Sequence, residues 1–198
     1  MATFGVILAA AGQSSRFKDA HYKKPFAPLA GRPVWLHSAE KFLEREDVKQ
    51  VLAEGGDHRA ASVRRGLEKL RPEIDTVAVH DAARPCLAME WIDRVFATGA
   101  RTGAAILAIP VVGTLKRVGA GQVVTQTVDR TDLWEAQTPQ VFSRALLERA
   151  MAAAPAGQPT DEANVVEATG HPVTVVPGSP LNLKITSRED LRMAEKCL

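Results

Sequence analysis

Ala9-Ala10-Ala11-Gly12-Gln13-Ser14-Ser15 is a run of small or polar residues, and Arg16 closes it. Small side chains let backbone N–H groups approach an anion closely, and Arg16 adds fixed positive charge, so the run reads either as a tight turn or as a phosphate cradle. It matches neither G-x-G-x-x-G nor G-x-x-x-x-G-K-[ST], which argues against a dinucleotide-binding dehydrogenase and a P-loop NTPase. Lys23-Lys24-Pro25-Phe26 lies just downstream. A lysine held beside a rigid proline can neutralise a polyphosphate as a point charge; the plainer alternative is a solvated surface pair. His80-Asp81-Ala82-Ala83-Arg84-Pro85 follows a strand-like segment. That puts Asp81 at the carboxyl edge of an open parallel sheet, where ligands bind and a carboxylate can hold Mg2+. The alternative is an Asp that caps the following turn with Arg84 as its ion-pair partner. His80 reads as packed rather than catalytic. Lys184, between Leu183 and Ile185, points either outward or into a cleft, and Asp161-Glu162 sits where acids favour a helix N-terminus.

These residues need a frame. Gly5 to Ala9 reads as a buried strand, Ala10 to Ser15 as a turn, and Pro33 to Arg45 as a helix with Trp35, Leu36, Ala39, Phe42 and Leu43 on one side. Val48 to Leu52 reads as a strand, Ala60 to Leu70 as a helix, Thr76 to His80 as a strand and Met89 to Thr98 as a helix. Ala104 to Ile109 is a buried strand, and Val123 to Val128 is another after the Gly119 to Gly121 turn. Ser143 to Ala153 and Asp161 to Thr169 read as helices, with short strands at Val173 to Val176 and Asn182 to Ile185. A last helix opens at Thr186, with Glu189 at capping-box spacing. Alternating strands and helices predict an α/β fold with a mostly parallel sheet covered on both faces, and Pro110 to Phe142 as an antiparallel excursion. Between Val48 and Gly55-Gly56 there is room for one short strand but no crossover helix, so the spacing predicts a segment missing near Leu52.

Composition narrows the classes. The chain has 198 residues, 45% hydrophobic and 24% charged, with a formal net charge of +2, as expected for one compact domain over residues 1–198. No basic block interleaved with aromatics points to nucleic acid. The apolar opening segment has no basic leader and is too short to span a bilayer, so no membrane role is expected. Cys86 and Cys197 form neither a metal-spaced pair nor a disulfide framework, and a reducing cytoplasm is expected.

Taken together, the motifs resemble the 2-C-methyl-D-erythritol 4-phosphate cytidylyltransferase family over nearly the whole chain. The resemblance rests on A-A-G-Q-S-S-R-F from Ala10, G-G-D-H-R-A-A-S-V from Gly55, H-D-A-A-R-P from His80, T-V-D-R from Thr127, Q-T-P-Q-V-F from Gln137, T-D-E-A from Thr160 and N-L-K-I-T from Asn182. It implies a Rossmann-like nucleotidyltransferase fold and a homodimer in which an extended β-arm, around Val123 to Leu146, completes the neighbouring site. The implied reaction transfers CMP from CTP to methylerythritol phosphate with Mg2+. By the same resemblance, Arg16, Lys24 and Lys184 are the catalytic residues, and Ala10, Ala11 and Gly12 lie in the loop that holds the CTP phosphates. Gly56, Asp57 and Ser62 read cytosine. Asp81 serves Mg2+ and substrate; Arg84, Thr127 and Lys184 hold the polyol phosphate; and Arg144 is contributed by the neighbouring subunit. The chain departs from the family pattern at Lys23-Lys24-Pro25, at Gly113-Thr114-Leu115-Lys116 and in the short stretch before Gly55. Two alternatives stand beside this reading: a cytidylyltransferase for another polyol phosphate such as ribitol 5-phosphate, and a non-catalytic nucleotide-binding homologue.

Overall fold

The computed structural model describes residues 2–11, 17, 22–154 and 159–198. Strand β1, Phe4–Ala9, is apolar without alternation and buried at every position, as a strand covered on both faces requires. After a 3-10 turn at Lys24–Phe26 come two short strands, β2 (Pro28–Leu29) and β3 (Arg32–Pro33), and helix α1 (Val34–Leu43). Then follow β4 (Val48–Glu54), α2 (Arg59–Lys69), β5 (Thr76–Asp81), α3 (Met89–Thr102) and β6 (Ala104–Pro110). The chain continues through β7 (Leu115–Val118), β8 (Val124–Val128), β9 (Trp134–Ser143), α4 (Arg144–Ala153), α5 (Glu162–Glu167), β10 (Thr174–Pro177) and α6 (Arg188–Ala194).

Six strands form one sheet in the order β10-β6-β9-β5-β1-β4. β1 runs parallel to β4 and β5, β6 runs parallel to β10, and β9 lies antiparallel between β5 and β6. The pleat sends alternate residues to opposite faces. Phe4, Val6 and Leu8 pack with Phe42 of α1 and with Trp91, Ile92, Val95 and Phe96 of α3. Ile7, Val77, Val79 and Phe142 pack on the other face with Val63 and Leu67 of α2, Leu147 of α4 and Val166 of α5. Close approach is enforced at Gly99 of α3, where an added Cβ would lie 2.4 Å from Val141 Cγ1.

Several sequence expectations change. Between Val48 and Gly55 the chain forms a single strand, β4, whose Gln50 to Glu54 pair one for one with Gly5 to Ala9, and α1 and α2 supply the two parallel crossovers. The expected strand Asn182 to Ile185 is irregular; Asn182 is fully buried and spends its amide on Thr138 O at 2.9 Å instead of a ladder. The capping box of α6 is Ser187 with Asp190, one residue later than the Thr186–Glu189 spacing. Asp190 accepts from the backbone N–H groups of both Thr186 and Ser187, a role Glu189 does not take. The arm expected around Val123 to Leu146 divides. β7 and β8 form a separate antiparallel hairpin, largely exposed, whereas Gln137 to Phe142 are buried in the central sheet and Arg144 opens α4. Among the described residues, no helix is long and apolar enough to cross a membrane.

Arg144 anchors the start of α4 to the start of β5. Its backbone N–H donates to Asp75 O at 2.8 Å, its Nη1 to Arg71 O at 2.8 Å, and its Nε to Glu148 at 2.7 Å. Replacing Arg144 by Ala should lower stability in urea by about 1–2 kcal/mol, the worth of one or two charge-assisted hydrogen bonds. Gly99→Ala should also destabilise, by about 1–3 kcal/mol, because overpacking against Val141 outweighs the gain in helix propensity. A lower urea midpoint at unchanged slope is the expected reading for both; an unchanged midpoint would contradict the packing described.

Candidate active site

Three parallel strands end together. Ala9 of β1 pairs with Glu54 of β4 on one side and Asp81 of β5 on the other, so the loops that follow all leave from one carboxyl edge. Two hydrogen bonds tie those exits: Ala10 N–H to Glu54 O at 2.9 Å and Ala82 N–H to Ala9 O at 3.2 Å. In the loop after β4, a Cβ on Gly56 would stand 3.1 Å from both the backbone N and the Oγ of Ser62. Gly56 and Ser62 therefore share one small space, and the buried Ser62 hydroxyl has no partner there, while Asp57 is exposed. Lys24 is half-buried at the start of the 3-10 turn and Lys23 is exposed.

Asp81 is buried, and cations from three parts of the chain meet its carboxylate. Arg59 Nε donates to Oδ1 at 3.0 Å, Lys184 Nζ lies 2.7 Å from Oδ2, and Arg84 Nε stands 3.6 Å from Oδ2. Burial alone pushes the Asp81 carboxyl upward, but Arg59, Lys184 and Arg84 outweigh it and hold the group well below the usual carboxylate range. Arg59 also donates through Nη1 to Glu162, which is 1% exposed. Burial raises the Glu162 carboxyl, and Arg59 offsets only part of that rise.

The neighbouring His80 is structural. Its Nε2 lies 3.1 Å from Arg84 O, and a carbonyl only accepts, so this nitrogen carries the proton. Nδ1 then accepts from the Thr138 hydroxyl at 3.0 Å, and that oxygen in turn accepts from Asp81 N–H at 3.0 Å. Complete burial lowers the His80 pKa to about 4, which keeps the ring neutral at pH 7.

Strand β9 and the segment after β10 close the wall. Asn182 O accepts from Arg84 Nη1 at 2.6 Å, and Gln137 donates to Ser179 O at 2.9 Å. A Cβ on Gly178 would lie 2.4 Å from Gln137 Oε1, so a larger residue there would displace the Gln137 amide. Gln140 links Asp161 to the backbone of Ala163. The result is a small cleft of about 120 Å3 lined by Arg59, Asp81, Arg84, Thr138, Gln140, Thr160, Asp161 and Lys184, among others. Buried Arg59 Nη2, Arg84 Nε and Asn182 Oδ1 have no hydrogen-bond partner.

Of the residues expected from sequence, Asp81, Arg84 and Lys184 come together, and Ala10, Ala11, Gly56, Asp57 and Ser62 belong to the loops and helix at the same edge. Gly12 and Arg16 lie outside the described residues. Thr127 stands on the exposed hairpin, accepting from Lys116 Nζ at 2.6 Å, and is not part of this cluster. Arg144, expected to serve a neighbouring subunit's site, lies within its own chain at the opposite edge of the sheet from Asp81: Ser143 pairs with Thr76 at the start of β5, and Asp81 is at its end. Asp161 caps α5 by accepting from Asn164 N–H at 3.0 Å, as its position near a helix start implied. Glu162 does not behave as a solvated helix-start acid. Arg59, Glu162 and Thr138 were missed as site residues, although each stands inside a motif quoted for the resemblance.

The fit to Mg2+ is partial. Among the described residues no three His, Cys, Asp or Glu side chains gather as a cation site, and both Asp81 oxygens already face cations. This donor set does not make a cage for a resident ion.

The profile of the family described as IspD, 2-C-methyl-D-erythritol 4-phosphate cytidylyltransferase, matches residues 46–198. The chain is 40% identical over 235 residues to the 2-C-methyl-D-erythritol 4-phosphate cytidylyltransferase of Rhodopirellula baltica, covering 100% of this chain and 95% of that protein. It is 40% identical over 218 residues to the bifunctional enzyme IspD/IspF of Desulfotalea psychrophila, covering 98% of this chain but only 56% of that longer protein. Both aligned lengths exceed the 198 residues of this chain, so these relatives carry residues it lacks. The crystal structure of the Thermus thermophilus 2-C-methyl-D-erythritol 4-phosphate cytidylyltransferase superposes with a TM-score of 0.84 at 32% identity, covering 99% of this chain and 98% of that one. The chain belongs to the 2-C-methyl-D-erythritol 4-phosphate cytidylyltransferase family.

Proposed function

We propose that this chain transfers the CMP moiety of CTP to 2-C-methyl-D-erythritol 4-phosphate, giving 4-diphosphocytidyl-2-C-methyl-D-erythritol and pyrophosphate. The observation that carries the reading is the meeting of Arg84 and Lys184 on Asp81, at the strand edge from which the Ala10 and Gly56 loops leave. Family membership supplies the substrates.

The acceptor phosphate has a second pKa of about 6 and is already mostly dianionic at pH 7. Its oxygen attacks the α-phosphorus directly, the bond to pyrophosphate breaks, and no proton needs removal. His80, neutral and with both ring nitrogens engaged, is suited to support rather than to acid-base work. Positioning and charge stabilisation carry the reaction. Lys24 and Arg16 serve the triphosphate and the charge that develops on it, and the half-buried setting of Lys24 favours it over the exposed Lys23. Gly56, Asp57 and Ser62 form the base-reading side. Asp81 accepts hydroxyl groups of the polyol, and Arg84 and Lys184 face its phosphate end. A divalent cation bound with the triphosphate would neutralise part of its charge.

The chain acts as a homodimer with the β7–β8 hairpin as its arm. Exposed Val118, Val123, Val124, Leu133 and Trp134 on and beside that hairpin favour such a contact, and Thr127 of the arm serves the partner's site. The two cysteines are free thiols, in keeping with a cytoplasmic setting.

Pyrophosphate release from CTP and Mg2+ should depend on methylerythritol phosphate and be at least about tenfold slower with ribitol 5-phosphate, the difference that a mismatched polar pocket imposes. Equal rates with both acceptors would sink the substrate assignment. Lys24→Ala should lower kcat by at least about a hundredfold with little change in KM for CTP, since its charge is needed most in the transition state. A rise in KM alone would remove Lys24 from that role.

A further inference from the structure

We propose that Arg59, braced from behind by Glu162, is a positioning residue that sets the Asp81 carboxylate for the polyol phosphate. The proposal rests on the transfer reading above. Arg59 is the first residue of α2, two positions beyond Asp57, and its guanidinium spans two carboxylates: Nε donates to Asp81 Oδ1 at 3.0 Å and Nη1 donates to Glu162. A planar fork with donors fixed in direction can hold two acceptors at a set separation, which a lysine ammonium does not reproduce. Glu162 is 1% exposed, so its charge is present there only because Arg59 pairs with it. With Oδ1 fixed by Arg59, Oδ2 is turned to Lys184 at 2.7 Å and toward Arg84. Arg59 thus acts through Asp81 rather than on the reacting atoms.

A structural role and a positioning role separate in a two-step substitution. Arg59→Met alone leaves Glu162 buried without its partner and should lower the thermal midpoint. Adding Glu162→Gln removes the second charge, keeps the net charge of the cluster and should restore the midpoint. The doubly substituted protein should still show KM for methylerythritol phosphate raised at least about tenfold, the loss of one charge-assisted hydrogen bond at the site, with KM for CTP within about twofold of wild type. Recovery of both the midpoint and the acceptor KM would overturn the proposal, as would equal rises in the two KM values. A second readout needs no turnover. Carbon-13 titration of the Asp81 carboxyl should move upward in the doubly substituted protein, and an unchanged titration would overturn the proposal. Wild-type protein that releases no pyrophosphate defeats the transfer reading instead, and the titration then decides the role of Arg59 on its own.

Discussion

The architecture of the site depends on one buried negative charge. Asp81 ends a strand that is covered on both faces, where an unpaired carboxylate would be too costly to keep ionised. It is held as an anion by Arg59 from α2, Arg84 from the loop after β5 and Lys184 from the segment before α6. Those three cations are separated by long stretches of chain, so the charge balance is satisfied only when the sheet, α2 and the C-terminal segment are all in place. Fold and site are therefore coupled: the same contacts that neutralise Asp81 bring together the loops of the carboxyl edge.

Support beneath Asp81 is built from neutral hydrogen bonds in sequence. Arg84 O fixes the proton of His80 on Nε2, His80 Nδ1 orients the Thr138 hydroxyl, and that oxygen receives Asp81 N–H. Each group has one role compatible with its partners, so the chain of bonds has a single direction. Protonating His80 would place a second donor opposite the Thr138 hydroxyl and break that direction. Burial prevents this by lowering the His80 pKa to about 4.

Much of this was legible in the sequence where periodicity and strand ends carried the signal. The uninterrupted apolar runs of β1 and β6, and Asp81 at the end of β5, follow from local pattern alone. β9 was not legible. Gln137, Thr138 and Gln140 are polar yet buried, because each finds a partner far away in sequence, and their polarity hides the strand. Glu162 does stand in the first turn of a helix, as expected, but its burial was not legible: an acid there is ordinarily solvated, and only the fold brings Arg59 against it across a separation that no local pattern spans.

The unpartnered groups are as informative as the paired ones. Most buried polar atoms in a folded protein are satisfied, and leaving a buried donor unmet costs about 1–3 kcal/mol. Arg59 Nη2, Arg84 Nε and Asn182 Oδ1 lie unmet around one carboxylate, whereas the groups beneath it are fully engaged. The lower layer is thus closed by hydrogen bonds, whereas Arg59 and Arg84, which line the cleft, each keep one buried nitrogen without a partner. Arg59 and Arg84 thus carry donor capacity that their pairs with Asp81 and Glu162 do not use, on side chains held in place by those same pairs.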